Sequence, residues 1–184
     1  SGFLINITNT RFNIVNGAVF DRVSATSYDT TGLSGFGILV VNVDGNGSKL
    51  DLSSVTHLIA GFPTGANQAQ LFQVANSGVI DFSGLQTITT PASPSTSEVR
   101  FNTLSGGQIL LPALSSIVGN GMEFNISSAV TLPLTLIPGM DLTVSTGGVL
   151  TFSNLTTITT GNVISVLGGI LNAPQLTTIT GSTF

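Results

Sequence analysis

The chain has 184 residues, enough for one domain with a substantial core. Apolar residues make up 41% and charged residues only 7%, with a net charge of −4. Low hydrophobicity with high charge marks disorder, so that class is excluded. The basic residues are Arg11, Arg22, Lys49 and Arg100, too few and too scattered for a nucleic-acid surface or an anionic membrane. The chain has no cysteine, which removes disulfides and thiolate metal sites.

Gly, Pro, Asn and Thr interrupt every apolar run short of the ~18 residues a transmembrane helix needs. Ser1-Gly2-Phe3-Leu4 lacks the basic region and apolar core of a signal peptide. Residues 1–46 are the least regular part and read as irregular coils or a cap. Phe3-Leu4-Ile5-Asn6-Ile7 and Phe12-Asn13-Ile14 alternate as strands do. Gly17-Ala18-Val19-Phe20 followed by Val23 reads as a worn repeat, and Asp29-Thr30-Thr31-Gly32 as a turn. Ile38-Leu39-Val40-Val41-Asn42-Val43 is predicted as a strand, ended by the turn Asp44-Gly45-Asn46-Gly47.

Regular repeats then occupy 47–184. The unit is Gly-Gly, two alternating apolar residues and Leu-x-x-Ile framed by Thr, as in 147–159. Its anchors are Val55, Leu85, Leu114, Leu134, Leu155 and Leu176, spaced by about 30 residues at first and about 21 later. Two insertions, 62–67 and 91–96, account for the longer spacing and are expected at one corner of the stack. The copy around Leu134 is worn, with Val130 and Leu132 one place out of register and prolines 133 and 138 beside it. A second strand alternates between anchors, as in Met122-Glu123-Phe124-Asn125-Ile126 and Met140-Asp141-Leu142-Thr143-Val144.

One such unit cannot bury its apolar face alone. Stacked units place Leu on Leu and Ile on Ile, with strands about 4.8 Å apart. The predicted fold is an all-β, right-handed β-solenoid of roughly 20–22-residue coils, about three strands per coil and about six to eight coils. In unit 147–160, Leu150, Phe152, Leu155 and Ile158 are its core, Gly147-Gly148 its corner, and Thr157 and Thr159 its exposed rank. The unit resembles repeats of large secreted bacterial adhesin-like proteins with right-handed β-helical stalks. Leu111-Pro112-Ala113-Leu114-Ser115-Ser116-Ile117 also resembles receptor-L-type and leucine-rich solenoid repeats. The first resemblance implies a secreted structural or adhesive module and carries no catalytic motif.

Stacking turns sequence positions into rows. Arg100, Glu123 and Asp141 should form one, read as a charge ladder or as the acidic site of a polysaccharide-cleaving enzyme. Asp51 and Asp81 should also neighbour each other, with Asp44 near the same edge. They are read as a solvated pair or as part of a Ca²⁺ site, which takes about six to eight oxygens. The single histidine, His57, reads as a surface residue, because no Gly-x-Ser-x-Gly elbow accompanies it. Thr87, Thr89, Thr157, Thr159, Thr178 and Thr180 form the Thr-x-Thr rank of a possible ice- or carbohydrate-binding face. Ser116-Ile117-Val118 and Leu136-Ile137-Pro138 interrupt it.

The reading that follows is an extracellular or cell-surface structural module with no cofactor and no nucleic-acid partner. It stacks end to end on a longer repeat array or on copies of itself, because the last repeat has no charged covering segment. Ice or surface polysaccharide binding on the Thr face is the alternative, and a polysaccharide lyase or hydrolase the third reading.

Overall fold

A computed structural model describes residues 3–33, 35–62, 69–91, 98–137, 139–159 and 161–183. Strands and no helices are found among them, most strands carrying β-branched or aromatic residues in period-two alternation. The first coil is β1 (Phe12–Val15), β2 (Val19–Phe20) and β3 (Ser27–Asp29). The second is β4 (Ile38–Asp44), β5 (Lys49–Asp51) and β6 (His57–Ile59), and the third β7 (Ala69–Ala75), β8 (Val79–Asp81) and β9 (Thr87–Thr89). The fourth is β10 (Glu98–Thr103), β11 (Gln108–Leu110) and β12 (Ser116–Val118), and the fifth β13 (Met122–Ile126), β14 (Ala129–Leu132) and β15 (Leu136–Ile137). The sixth is β16 (Met140–Ser145), β17 (Val149–Phe152) and β18 (Thr157–Ile158), and the seventh β19 (Val163–Leu167), β20 (Ile170–Asn172) and β21 (Thr178–Ile179).

The first strands of all coils form one 7-stranded sheet, β1-β4-β7-β10-β13-β16-β19, and every pairing between strands is parallel. This is the expected β-solenoid. Like stacks on like inside: Phe72, Phe101, Phe124, Leu142 and Ile164 form one column of the first sheet. Leu50, Ile80 and Ile109 form a column of the second side, and Tyr28, Leu58, Ile88 and Ile117 one of the third. Leu150, Phe152, Leu155 and Ile158 are buried as the repeat requires. Each such side chain contributes about 1.5–3 kcal/mol by leaving water.

The Gly-Gly corner has two separate causes. Gly147 takes φ +85°, which side chains resist, while a Cβ on Gly148 would lie 2.3 Å from Ile126 O of the coil before. The same close approach recurs at Gly107, where a Cβ would lie 2.5 Å from Val74 O.

Four features depart from the linear reading. Residues 12–29 stack in the same columns as every later coil. Because Phe20 lies on Leu50 and Tyr28 on Leu58, Ala25 is level with the anchor Val55, and Val23 instead bridges Leu4. Among the described residues, that bridge is the one ladder contact of the predicted strand at 3–7, and Ile7 joins the core. Val130 and Leu132 lie in register on Leu150 and Phe152, since the missing residue is taken up at the corner, where Pro133 alone separates Leu132 from Leu134. Finally, the stack is not paired on every side. The second strands form β2-β5-β8-β11 and, separately, β14-β17-β20; the third strands form β3-β6-β9-β12 and β15-β18-β21. Pro133 stands where coil six uses the Ser153 N–H to reach Leu132 O, so coil five has no such donor for coil four.

The insertions lie at the corner between third and first strands. Most of each, 63–68 and 92–97, falls outside the described residues. Residues 30–33 and 35–37 belong to the same corner between β3 and β4, a third long connection that the repeat spacing did not reveal. The buried Gln70 ties this corner together. Its Oε1 accepts from Thr30 Oγ1 (2.6 Å) and Gly61 N–H (2.9 Å), and its Nε2 donates to Thr30 O (2.7 Å) and Leu33 O (3.0 Å).

Candidate functional site

The 7-stranded sheet is the one side of the solenoid paired through every coil, and its outward residues form rows along the axis. Arg100, Glu123 and Asp141 are neighbours on β10, β13 and β16, as the alternation predicts. Arg100 Nε lies 2.6 Å from Glu123 Oε2, and Arg100 also pairs with Glu98, two residues earlier on its own strand. Burial alone would lower the guanidinium pKa, but the Glu123 and Glu98 carboxylates outweigh it and hold the value above its ordinary level. Glu123 Oε1 further accepts from Asn125 Nδ2 (2.9 Å), and Asp141 Oδ1 from Val163 N–H (3.2 Å). The row is a ladder of matched charge and amide groups. Glu98 was overlooked because it flanks an insertion rather than occupying a repeat position.

Beside it runs a polar row absent from the linear reading: Asn13, Asn42, Gln73, Asn102 and Asn125, continued by Thr143 and Ser165. Asn42 Nδ2 donates to Asn13 Oδ1 (2.8 Å) and Asn125 Nδ2 to Asn102 Oδ1 (3.0 Å). The available signal was an amide two positions after the outward residue, as at Leu71–Gln73, Arg100–Asn102 and Glu123–Asn125; on β4 the bulge between Leu39 and Val41 makes the spacing three, Leu39 to Asn42. A row of donors and acceptors at strand spacing suits a hydroxyl-rich polymer lying along the axis.

Asp51 and Asp81 are neighbours on β5 and β8. Lys49 Nζ lies between them, 3.5 Å from Asp51 and 3.0 Å from Asp81. Asp51 Oδ1 also accepts from the N–H (3.0 Å) and Oγ (2.6 Å) of Ser53, and Asp81 Oδ1 from the Ser83 N–H (3.1 Å). The pair thus already has a cation, supplied by a lysine on the same strand. Among the described residues no three His, Cys, Asp or Glu side chains gather as a metal site would require. Asp44 ends β4 on the first sheet and accepts from Asn76 Nδ2 (2.8 Å), so it does not share their edge.

Burial would raise the Asp51 pKa, but the Ser53 hydrogen bonds and Lys49 together hold it below the ordinary 3.8. Its stabilising share is therefore present above pH 3.8 and lost as pH falls through the lower folded value. Lys49 is raised above 10.5, chiefly by its hydrogen bond to Asp81, so its share is present below 10.5 and lost as pH rises through the folded value. Lys49→Met should reduce stability at pH 7 by less than about 1 kcal/mol, since the pair is partly solvated. It should also flatten the acid limb of urea midpoints measured from pH 2 to 7. An unchanged acid limb would dissociate Lys49 from Asp51.

The six threonines fall into two groups. Thr87 lies between His57 and Ser116, and Thr89 between Ile59 and Val118, all on β6, β9 and β12. Thr157 and Thr178 neighbour each other on β18 and β21, with Leu136 next in the column. Thr159 and Thr180 turn their hydroxyls onto backbone carbonyls of the preceding coil, Ile137 O (3.4 Å) and Ile158 O (3.5 Å). These two groups belong to sheets that do not pair with each other. His57 is exposed, its Nδ1 2.8 Å from Thr56 Oγ1. Set against protein-family models, curated proteins and solved structures, the chain matches none.

Proposed function

We propose that this chain is a structural module of an extracellular fibre, stalk or surface layer, extended coil upon coil through its last coil. The observation that supports this is coil seven. β19, β20 and β21 each have a ladder neighbour on one side only. Val166, Leu167, Ile170 and Ile179 stay 45–62% exposed there. Thr183 already sits on β19 as a parallel bridge to Val163, with its N–H donating to Asn162 O (3.1 Å) and its O accepting from Ile164 N–H (2.9 Å). The edge is therefore used as a template for a further coil, which either downstream chain or another molecule can supply. The adhesin-like resemblance of 147–159 supports the extracellular setting. The amide and charge rows of the first sheet favour adhesion to polysaccharide over ice binding by the divided threonines.

Sedimentation velocity and negative-stain microscopy test the stacking. The 184-residue chain should form end-to-end rods as concentration rises, and Leu167→Lys with Ile170→Lys should keep it monomeric with an unchanged far-UV spectrum. A wild-type chain that stays monomeric at every concentration, with no rods, would refute the reading. Binding of the folded monomer to immobilised polysaccharides, compared with Asn102→Ala and Asn125→Ala, tests adhesion separately.

A further inference from the structure

At coils one and two a bulge interrupts the outward face of the first sheet. β4 pairs Leu39 with Leu71 and Val41 with Phe72, so Val40 is an extra residue, and it is buried. Beside the bulge lies a surface cavity of about 400 Å³, lined by Arg11, Phe12, Asn13, Leu39 and Asn42. That is within the size range of small-molecule sites. Arg11 Nε donates to Leu39 O (2.8 Å), which tethers the guanidinium at the cavity. Among the described residues Arg11 has no carboxylate partner, whereas Arg100 has two, Glu98 and Glu123. Asn13 and Asn42 border the same cavity. Asn42 Nδ2 donates to Asn13 Oδ1 (2.8 Å), which leaves Asn13 Nδ2 as a donor and Asn42 Oδ1 as an acceptor without a protein partner among the described residues. The one carboxylate of β1 and β4, Asp44, lies two residues beyond Asn42 and accepts from Asn76 Nδ2.

We propose that this cavity binds a single carboxylate-bearing sugar unit, at the end of an otherwise neutral polysaccharide lying along the first sheet. The proposal rests on the polysaccharide-adhesion reading above and adds the chemistry of the terminal unit. The two terminal guanidinium nitrogens of Arg11 present a planar fork that matches a carboxylate. Its Nε is already tethered, so little freedom is lost on binding. The Asn13 donor and the Asn42 acceptor suit ring hydroxyls, which both give and accept hydrogen bonds. The outward row along the axis limits the occupant to one acid. Leu39 and Leu71 are neutral in coils two and three, Arg100 is matched in coil four, and Glu123 and Asp141 follow in coils five and six. A polymer with a carboxylate on every unit would set like charges against Glu123 and Asp141. A neutral chain instead continues along the amide row at Gln73, Asn102 and Asn125.

The test is an NMR titration of the whole 184-residue chain. The probes are methyl galacturonide, methyl galactoside, tetragalacturonate and acetylalanine. The galacturonide should shift the Arg11 Nε signal and the side-chain amides of Asn13 and Asn42. It should bind about fivefold or more tightly than the galactoside. Arg11→Gln, at an exposed position, should keep the fold and bring galacturonide binding down to the galactoside level. Asn13→Ala should weaken both sugars, and tetragalacturonate should gain nothing over the single unit. Equal binding of galacturonide and galactoside would overturn the proposal. So would unshifted Arg11, Asn13 and Asn42 signals, or unchanged galacturonide binding by a folded Arg11→Gln variant. Acetylalanine binding as tightly as the galacturonide would show a site for any carboxylate, such as a peptide terminus. Tetragalacturonate binding about tenfold more tightly would show a polyacid site. Either result also overturns the proposal. Polysaccharide adhesion is read separately at Asn102 and Asn125 in coils four and five, so failure of that reading and failure of this one give different results.

Discussion

Phe101→Ala should destabilise the solenoid by about 3–5 kcal/mol, read as a lowered midpoint of urea denaturation. Phe101 is fully buried in the fourth coil. Its ring stacks on Phe72 of coil three (centroids 4.9 Å, 11°) and on Phe124 of coil five (5.4 Å, 21°), and meets Phe82 edge-on at 6.2 Å. Truncation removes the transfer energy of one ring, two stacked contacts and the filling of the cavity left behind. The location raises the effect further. On the other two sides coils four and five have no strand pairing, so the β10–β13 ladder and the Phe101–Phe124 stack carry much of that junction. Phe101→Leu keeps most of the volume and should cost less than half as much. Equal losses for the two substitutions would mean that ring stacking, rather than filled volume, dominates.

Gln70→Leu should cost about 3 kcal/mol, or roughly 10 °C in thermal midpoint for a domain of this size. Leucine has a similar bulk, so packing is largely preserved and the loss reports hydrogen bonding. The Gln70 amide makes four bonds and is fully buried. Without it, the Gly61 N–H and the carbonyls of Thr30 and Leu33 lose their partner in a dry corner; Thr30 O has no solvent alternative because Thr30 is itself 0% exposed. Differential scanning calorimetry of the variant reads the shift, and a change under 2–3 °C would show that water replaces the amide.

The repeat made the interior legible in advance. Leu150, Phe152, Leu155 and Ile158 lie where their spacing places them, and Arg100, Glu123 and Asp141 share a row because each is the second residue of an equivalent alternation. The amide row at Asn13, Asn42, Gln73, Asn102 and Asn125 was equally available in the linear pattern, yet its members are ordinary surface residues until stacking aligns them. Gln70 gave no signal at all. Its partners Thr30 and Leu33 lie 40 and 37 residues away, and a glutamine beside an insertion reads as solvated loop.

By itself the sequence determined the parallel β-solenoid, the identity of its inward columns and the need for glycine pairs at its corners. These follow from period two within a strand and one period between coils, both local properties of the chain. Only the tertiary structure decided where the stack holds and where it slips. Register between coils is set by the lengths of the corners: only Ser127 and Ser128 separate β13 from β14, where four residues, 104–107, separate β10 from β11, and Pro133 then removes one more residue and its N–H, so two sides of the solenoid are unpaired while the first sheet continues through. That slip divides the threonine rank and opens a cavity beside Ile109 and Ala129.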